Sequence, residues 1–350
     1  MTKRKTSTRD GAVTRADVAR YAGVSTAVVS YVMNDGPRKV APETAARVRD
    51  AITRLDYRPN VYAQALRRGT TEMIGLVLGD PTNPYFVEFV AAITEAAFNH
   101  GRAVVIASAR TGADTEMNAI DDLVRRRVDA LIVASIFGRP DLVLRPSSRL
   151  TPIVFVDASG AIPGHTSLGV DGVRGAALAV EHLAQVHHHK TVGLVVGGMG
   201  SPSADPSERG WQQALRAAGL PDGPIARVAW TREGGYEGGH RLLGSPNPPT
   251  AILASSDLQA VGLLRAAHER GLRVPEDLAV IGFDGTQEAE FCWPPLTVVA
   301  QPIQEMARTA VRLVIDEQRP EGYTSFDGDL VVRQSCGCIR APAGVTTSPS

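Results

Sequence analysis

From Met73 onward the chain is a succession of short apolar runs: MIGLVLGD (73–80), RAVVIASA (102–109), DALIVAS (129–135), TPIVFVDA (151–158), then TVGLVVGG (191–198), IARVAW (225–230), TAILASS (250–256) and LAVIGFD (278–284). They lack strict apolar–polar alternation, as strands do when both faces are buried. Amphipathic segments such as Phe86–His100 and Leu258–Arg270 lie between them, so the pattern predicts parallel α/β structure. Two sets of about four to six strands, with a break near 167–173, predict two similar subdomains, each with a parallel sheet. The last runs, TVVAQ (297–301) and DLVVRQS (329–335), could carry the chain back across that break, giving crossovers near 160–172, 297–303 and 325–330.

The first seventy residues follow a different period. Thr14 can cap a helix that begins near Arg15, with Asp17 in its first turn and Val18, Ala19 and Ala22 on one apolar face. Gly23 supplies a turn, Val24 a buried plug, and Ser25 a cap for a second helix whose inner side is Val28, Val29, Val32 and Met33. That helix presents Thr26, Ala27, Ser30 and Tyr31 outward, small or hydrogen-bonding side chains suited to a DNA major groove. A third helix is expected from Pro42 to Leu55, with Ala46, Val48, Ile52 and Leu55 in its core.

Composition sharpens this division. The 350 residues are formally neutral, yet residues 1–72 hold 14 Lys and Arg against 7 Asp and Glu, and the remainder 23 against 30. A basic end on an acidic body suits a polyanion-binding module joined to a regulatory domain. With 43% apolar and 21% charged residues and no apolar run of membrane-spanning length, a soluble protein is expected, and without a secretory leader, a cytoplasmic one. Residues 1–12 read as a disordered basic tail and 341–350 as a disordered end. Three cysteines, Cys292, Cys336 and Cys338, make no disulfide framework. The pair in SCGC resembles half a metal site, but no second Cys or His pair is seen at matching spacing, and HHHK (187–190) reads as a solvated loop. No metal or cofactor is expected.

The motifs DVARYAGVS, VVSYVMN, PETAARV, LDYRPN and AQALRRG, spread over residues 14–71, resemble the helix-turn-helix headpiece (13–60) and hinge (61–71) of the LacI (lactose repressor)/GalR-type family of bacterial transcription regulators. The resemblance extends over the body, residues 72–340, and implies a periplasmic-binding-protein-like effector domain. It implies base reading by Thr26, Ala27 and Tyr31 and a minor-groove hinge with Ala63 and with Leu66 as the wedge between base pairs. Phosphate contacts fall to Ser25, Ser30, Asn34, Arg58, Arg67 and Arg68. Many relatives place a basic residue where Tyr31 stands, and tyrosine cannot make the paired contact to guanine that arginine makes.

Ligands of open α/β sheets bind beyond the carboxyl ends of the strands, where this sequence puts Asp80, Asp157, Trp230, Ser255–Asp257 and Asp284. The family match implies effector contacts from Tyr85, Phe86, Asp157, Trp230 and Asp284, a helix-capping acid or a core aromatic being the competing reading of each. Asp257 reads as the cap of the helix it opens. Ser207 occupies the place of an arginine that grips the effector in the family, Arg209 lies two residues along, and Ser256 stands where many relatives have Asn. No phosphate loop or dinucleotide fingerprint is found, so no enzyme is expected. The function expected is a homodimeric, or higher, regulator, most simply a repressor, of a palindromic DNA operator, controlled by a sugar or related metabolite. The alternatives are a DNA-binding sugar kinase-like enzyme and a solute-binding protein of the same body fold.

Overall fold

The computed structural model describes residues 13–33, 39–58, 69–109, 113–134, 151–198, 205–316 and 320–338. The chain divides into two compact units, Met1–Thr71 and Glu72–Ser350.

In the first unit, α1 (Arg15–Ala22), α2 (Thr26–Met33) and α3 (Pro42–Arg54) surround a small core of Val18, Ala19, Ala22, Val29, Val48, Ala51 and Tyr57. A reciprocal capping box starts α1: Thr14 accepts from the Asp17 backbone, and the Asp17 carboxylate accepts from the Thr14 N–H at 2.9 Å. Gly23 ends it in the left-handed region (φ 65°), which turns the chain within three residues into α2. Ser25 Oγ accepts from Val28 N at 3.3 Å, so it caps α2 as its position suggests. In α3 the buried position is Ala45, and Ala46 is exposed. The inner row is therefore Ala45, Val48 and Ala51, and the expected Ala46 is one residue, about 100°, off that row.

The second unit is built twice from one plan. Its first sheet contains β1 (Met73–Leu78), β2 (Ala103–Ser108), β3 (Ala130–Ala134), β4 (Ile153–Val156), β5 (Thr166–Val170) and β11 (Gly322–Phe326), in the order β11-β5-β4-β3-β1-β2 and wholly parallel. Ile74, Leu76 and Leu78 face α4 (Pro84–Asn99) and α11 (Ile303–Ile315), while Val77, Leu131 and Val133 face α5 (Ala113–Arg125). Both faces are covered, which removed the alternation from the sequence.

The second sheet contains β6 (Val192–Val196), β7 (Ile225–Arg227), β8 (Ala251–Ala254), β9 (Ala279–Asp284), β10 (Thr297–Ala300) and β12 (Asp329–Val331), in the order β12-β10-β9-β8-β6-β7. Only its edge strand β12 is antiparallel among the described pairings. On one face lie α6 (Gly172–Glu181) and α7 (Pro206–Ala217), with Trp211 fully buried and its indole N–H donating to Val192 O at 3.1 Å. On the other lie α8 (Arg232–Leu243) and α9 (Asp257–Glu269); the short α10 (Gln287–Phe291) follows β9.

The chain passes between the sheets three times, after β5, after β10 and between β11 and β12. Residues 167–170 are therefore not a break: they belong to β5, whose Thr166 and Ser167 bond to Pro320 O and Gly322 O and so look polar in sequence while being buried. TVVAQ does not cross either. It is β10, parallel to β9, and the crossing follows it.

The glycines of REGGYEGG serve helix packing. A Cβ on Gly262 would overlap the Arg232 carbonyl oxygen, and one on Gly235 the Gln259 carbonyl oxygen, so α8 and α9 approach backbone to backbone. Gly262→Ala is therefore expected to destabilise the body by about 1–3 kcal/mol or more through overpacking. Chemical denaturation checks this, and a change under about 0.5 kcal/mol would show that the two helices separate without strain.

Candidate functional site

Two places in the fold gather chemistry. On the first unit, the turn at Gly23 sets α2 so that Ser25, Thr26 and Ala27 are exposed at its start while Val29 is buried. Tyr31 and Ser30 are half-buried one turn on. Arg58 is exposed and lies 3.6 Å from Asp56, close enough for a weak ion pair that a phosphate would displace. Asn34, Ala63, Leu66, Arg67 and Arg68 lie outside the described residues.

The second place is where the carboxyl ends of the two sheets meet. Asp157 follows β4 and Tyr85 opens α4; the Tyr85 hydroxyl donates to the Asp157 carboxylate at 3.4 Å. Asp284, the last residue of β9, comes from the other sheet. Its charge acts on Tyr85, and that of Asp157 acts on it. The two subdomains also touch directly, Gln287 N donating to Glu88 Oε1 at 2.8 Å. Asp157 and Asp284 have positive φ angles of 59° and 113°, a backbone form that non-glycine residues adopt only where the surroundings impose it.

Burial dominates the electrostatics. It pushes Asp157 up to about 7, with the nearby Asp205 raising it further and the Tyr85 hydroxyl opposing. Asp284 is held well above the carboxylate range, by burial first and by the charge of Asp257 second. Asp257 itself is pushed up to about 7 by burial, although it accepts from the Thr286 N–H and hydroxyl at 2.7 and 2.8 Å. Gln301 Nε2 donates to Asp284 at 2.8 Å, and Gln301 Oε1 and Asp257 Oδ1 are buried polar atoms without hydrogen-bond partners. The result is a set of three acids that burial inclines toward their neutral forms.

Along the same edge of the second sheet, Trp230 lies over Gly197, where any Cβ would overlap its indole ring. Gly197 N donates to Ser255 Oγ, which in turn bonds Gln259, and Gln259 Nε2 donates to Ala229 O at 3.0 Å. This chain of bonds fixes the backbone under Trp230, whose ring remains 37% exposed. Sequence reasoning missed Gln259, Gln301 and Thr286 because they act from neighbouring loops and helices, with no motif to mark them.

Other expectations are corrected. Asp257 does not cap α9. Ser256 does, accepting from Gln259 N at 3.2 Å, and Asp257 is turned inward to Thr286. Phe86, like Tyr85, is 4% exposed, and its ring stands edge-on to that of Tyr85 at 5.3 Å. Ser207 is buried at the start of α7, which Asp205 caps, and Arg209 is exposed. Asp80 accepts from Thr82 in a local turn. Cys336 and Cys338 have two imidazoles beside them that no sequence spacing indicated, those of His182 and His187, brought from about 150 residues away by the fold.

The comparisons with known proteins divide in the same places. Residues 14–60 match the model of bacterial regulatory proteins of the lacI family, and residues 180–336 a periplasmic binding protein-like domain. The HTH-type transcriptional repressor CytR of Escherichia coli (strain K12) is 32% identical over 337 residues, 95% of this chain and 98% of the relative. The HTH-type transcriptional repressor PurR of Pasteurella multocida is 33% identical over 327 residues, 91% and 97% of the two chains. A Lac repressor dimer bound to operator and the anti-inducer ONPF superimposes with a TM-score of 0.84 at 30% identity, covering 93% of this chain and 99% of that one. A ribose-bound LacI family regulator from Enterococcus faecium gives 0.67 at 26% identity, covering 75% and 98%.

Asp157 yields a pH-dependent prediction. Its folded pKa is raised above the unfolded value, so its contribution to stability is complete below about pH 4 and is lost as pH rises through about 7. Asp157→Asn, which tolerates positive φ, should therefore be more stable than the parent at pH 8, by roughly 1–3 kcal/mol, with the gap closing below pH 5. Denaturation of both proteins at the two pH values checks it; a gap independent of pH would show that Asp157 is not held protonated.

Proposed function

The chain belongs to the lacI family of bacterial regulatory proteins and is a DNA-binding transcriptional repressor, and from that premise we propose that it binds a palindromic operator as a homodimer in the cytoplasm and is controlled by a small polyhydroxylated effector. The observation that carries the DNA part is the exposed start of α2. Thr26 and Ala27 stand clear of the core on a helix whose entry angle is fixed by the capping box, Gly23 and the Ser25 cap. Such a helix reads base edges with its first turn, while Ser25, Ser30, Arg58 and, by the family pattern, Asn34, Arg67 and Arg68 position it on phosphates. Ala63 and Leu66 would complete the contact in the minor groove.

A homodimer is favoured by the Lac repressor neighbour, which is a dimer on its operator, and by Val87, Phe98 and Ile106, apolar side chains that are 54%, 79% and 49% exposed on α4 and β2. For the effector, half-buried Asp157 and buried Asp284 offer carboxylate oxygens to ligand hydroxyls, and the partly exposed indole of Trp230 covers an apolar ring face. A polyol suits this arrangement, and one family member holds ribose. With Ser207 in place of a cationic grip and Arg209 outside, the acids carry recognition. Ligand across both sheets biases their relative placement, and operator affinity changes by linkage.

Selection from a random duplex pool by the full-length protein at physiological salt should enrich one palindrome, and no enrichment with or without candidate sugars would remove the reading. Leu66→Ala should weaken binding to that palindrome at least tenfold with salt-dependent non-specific binding unchanged; equal loss of both would remove the wedge role. Asp284→Ala and Trp230→Ala should each retain operator binding and lose the effector response, and a preserved response in both would place the ligand elsewhere.

A further inference from the structure

The four side chains His182, His187, Cys336 and Cys338 put one possible ligand atom each within 4.8 Å of all the others. The two Nε2 atoms are 3.2 Å apart, and Cys338 Sγ is 3.6 Å from His182 Nε2 and 3.3 Å from His187 Nε2. An ion bound tetrahedrally at about 2.0–2.1 Å from nitrogen and about 2.3 Å from sulfur separates its ligand atoms by about 3.3–3.8 Å. The two Cys338 distances fall in that range and the Nε2–Nε2 distance lies just below it, while Cys336 Sγ stands within 4.8 Å of each of the other three.

Two features of the backbone build the cluster. After α6 the chain makes a π-helical turn, His182–Val186, closed by His187 N donating to His182 O at 3.4 Å. On an α-helix residues five apart point about 140° away from each other, whereas a turn with i→i+5 hydrogen bonds stacks them. The two imidazoles consequently share one side, with centroids 4.9 Å apart. The opposing half is the turn Ser335–Cys338. Ser335 is fully buried between β9 and β10, donating to Val280 O at 2.6 Å and accepting from Thr297 N at 2.8 Å. Gly337, at φ 103°, then reverses the chain so that both sulfurs face the histidines; its α-carbon lies so close to the His187 ring that a Cβ would come within 3.2 Å of Nδ1.

We propose that His182, His187, Cys336 and Cys338 bind a divalent cation of the zinc class in a closed, structural Cys2His2 site. Two imidazoles and two thiolates suit a borderline-soft ion and leave no position open for substrate, which separates this site from the acids of the effector region. Thr297 Oγ1 lies 3.1 Å from Cys336 Sγ and can donate to the thiolate, an outer contact of the kind that fixes metal ligands. The spacing H-x4-H is ordinary for such sites. C-x-C is tighter than the usual C-x2-C, and the positive φ of Gly337 is what lets both sulfurs reach one point. The ion fastens the Ser335–Cys338 turn to the end of α6.

The test is cobalt(II) titration of full-length protein, reduced and treated with chelator. One equivalent should produce tetrahedral d–d bands and a thiolate-to-cobalt charge-transfer band, both displaced by zinc. Cys338→Ser should halve the charge-transfer intensity, Cys338→Ser with His187→Gln should remove both bands, and Cys292→Ser should leave them intact. Operator binding by the variants serves as the control for folding. Independently, zinc should raise the melting temperature of the parent protein and not of the double variant. Absence of the bands at one equivalent, their persistence in the double variant, or a melting temperature of the parent unmoved by zinc would each overturn the proposal.

Discussion

Parallel pairing is the constraint on which the body depends: neighbouring strands that share a direction also share the edge at which they end. In the first sheet that edge carries Asp157 and the start of α4, with Tyr85. In the second it carries Gly197, Ser255 and Asp284, with Trp230 just beyond the end of β7. Because the chain crosses between the sheets three times, the two edges are held facing one another, and groups far apart in sequence become electrostatic neighbours. Nothing local to Asp157 or Asp284 would predict this. It follows from strand direction together with the crossings.

That arrangement costs stability. Three aspartates, Asp257 and Asp284 buried and Asp157 half-buried, sit where desolvation favours their neutral forms, with the charge of Arg333 opposing it at Asp257. Two of them also hold positive φ angles. A sequence selected only to fold would place asparagine or an apolar residue at such positions. Strain and unpaired acids concentrated at one edge are what a binding site shows when its hydrogen-bond partner is a ligand. The orphaned Gln301 Oε1 and Asp257 Oδ1 are part of the same imbalance.

How much of this was legible in the sequence depended on range. The headpiece was readable almost residue by residue, since Thr14, Asp17, Gly23 and Ser25 act on neighbours within three or four positions. Ten of the twelve strands stood out as short apolar runs, most of them because burial on both faces leaves such runs unbroken. β5 and β11 did not, because Thr166, Ser167, Thr324 and Ser325 lie near the sheet edge, where side chains bond to adjoining loops or meet solvent. The acids at the strand ends were recognisable as candidates, yet which of Ser256 and Asp257 caps α9 was decided by Thr286, twenty-nine residues on. The four ligands of the Cys–His cluster were the least legible: their halves are separated by about 150 residues, and the histidines converge only because the helix widens into a π turn.

α6 joins these themes mechanically. At its start Asp171 caps the helix and its N–H donates to Phe326 O at 2.7 Å, which pairs the first and third crossings; Arg174 meets Asp327 beside them. At its other end stand His182 and His187. Gly210 lets α7 press against the Val173 carbonyl, so the helix is also clamped along its length. Ten residues of α-helix span about 15 Å and bend little, so a displacement at one end is delivered to the other. In the proposed mechanism, closure of the subdomains would move the crossings, and the crossings would move α6 through the Asp171–Phe326 and Arg174–Asp327 contacts. An ion at the far end would resist that movement by tying α6 to the Ser335–Cys338 turn, itself pinned between β9 and β10. On the proposed reading the crossings and the Cys–His cluster would be the two ends of one lever, and whatever stiffened the second would raise the work that an effector must do on the first.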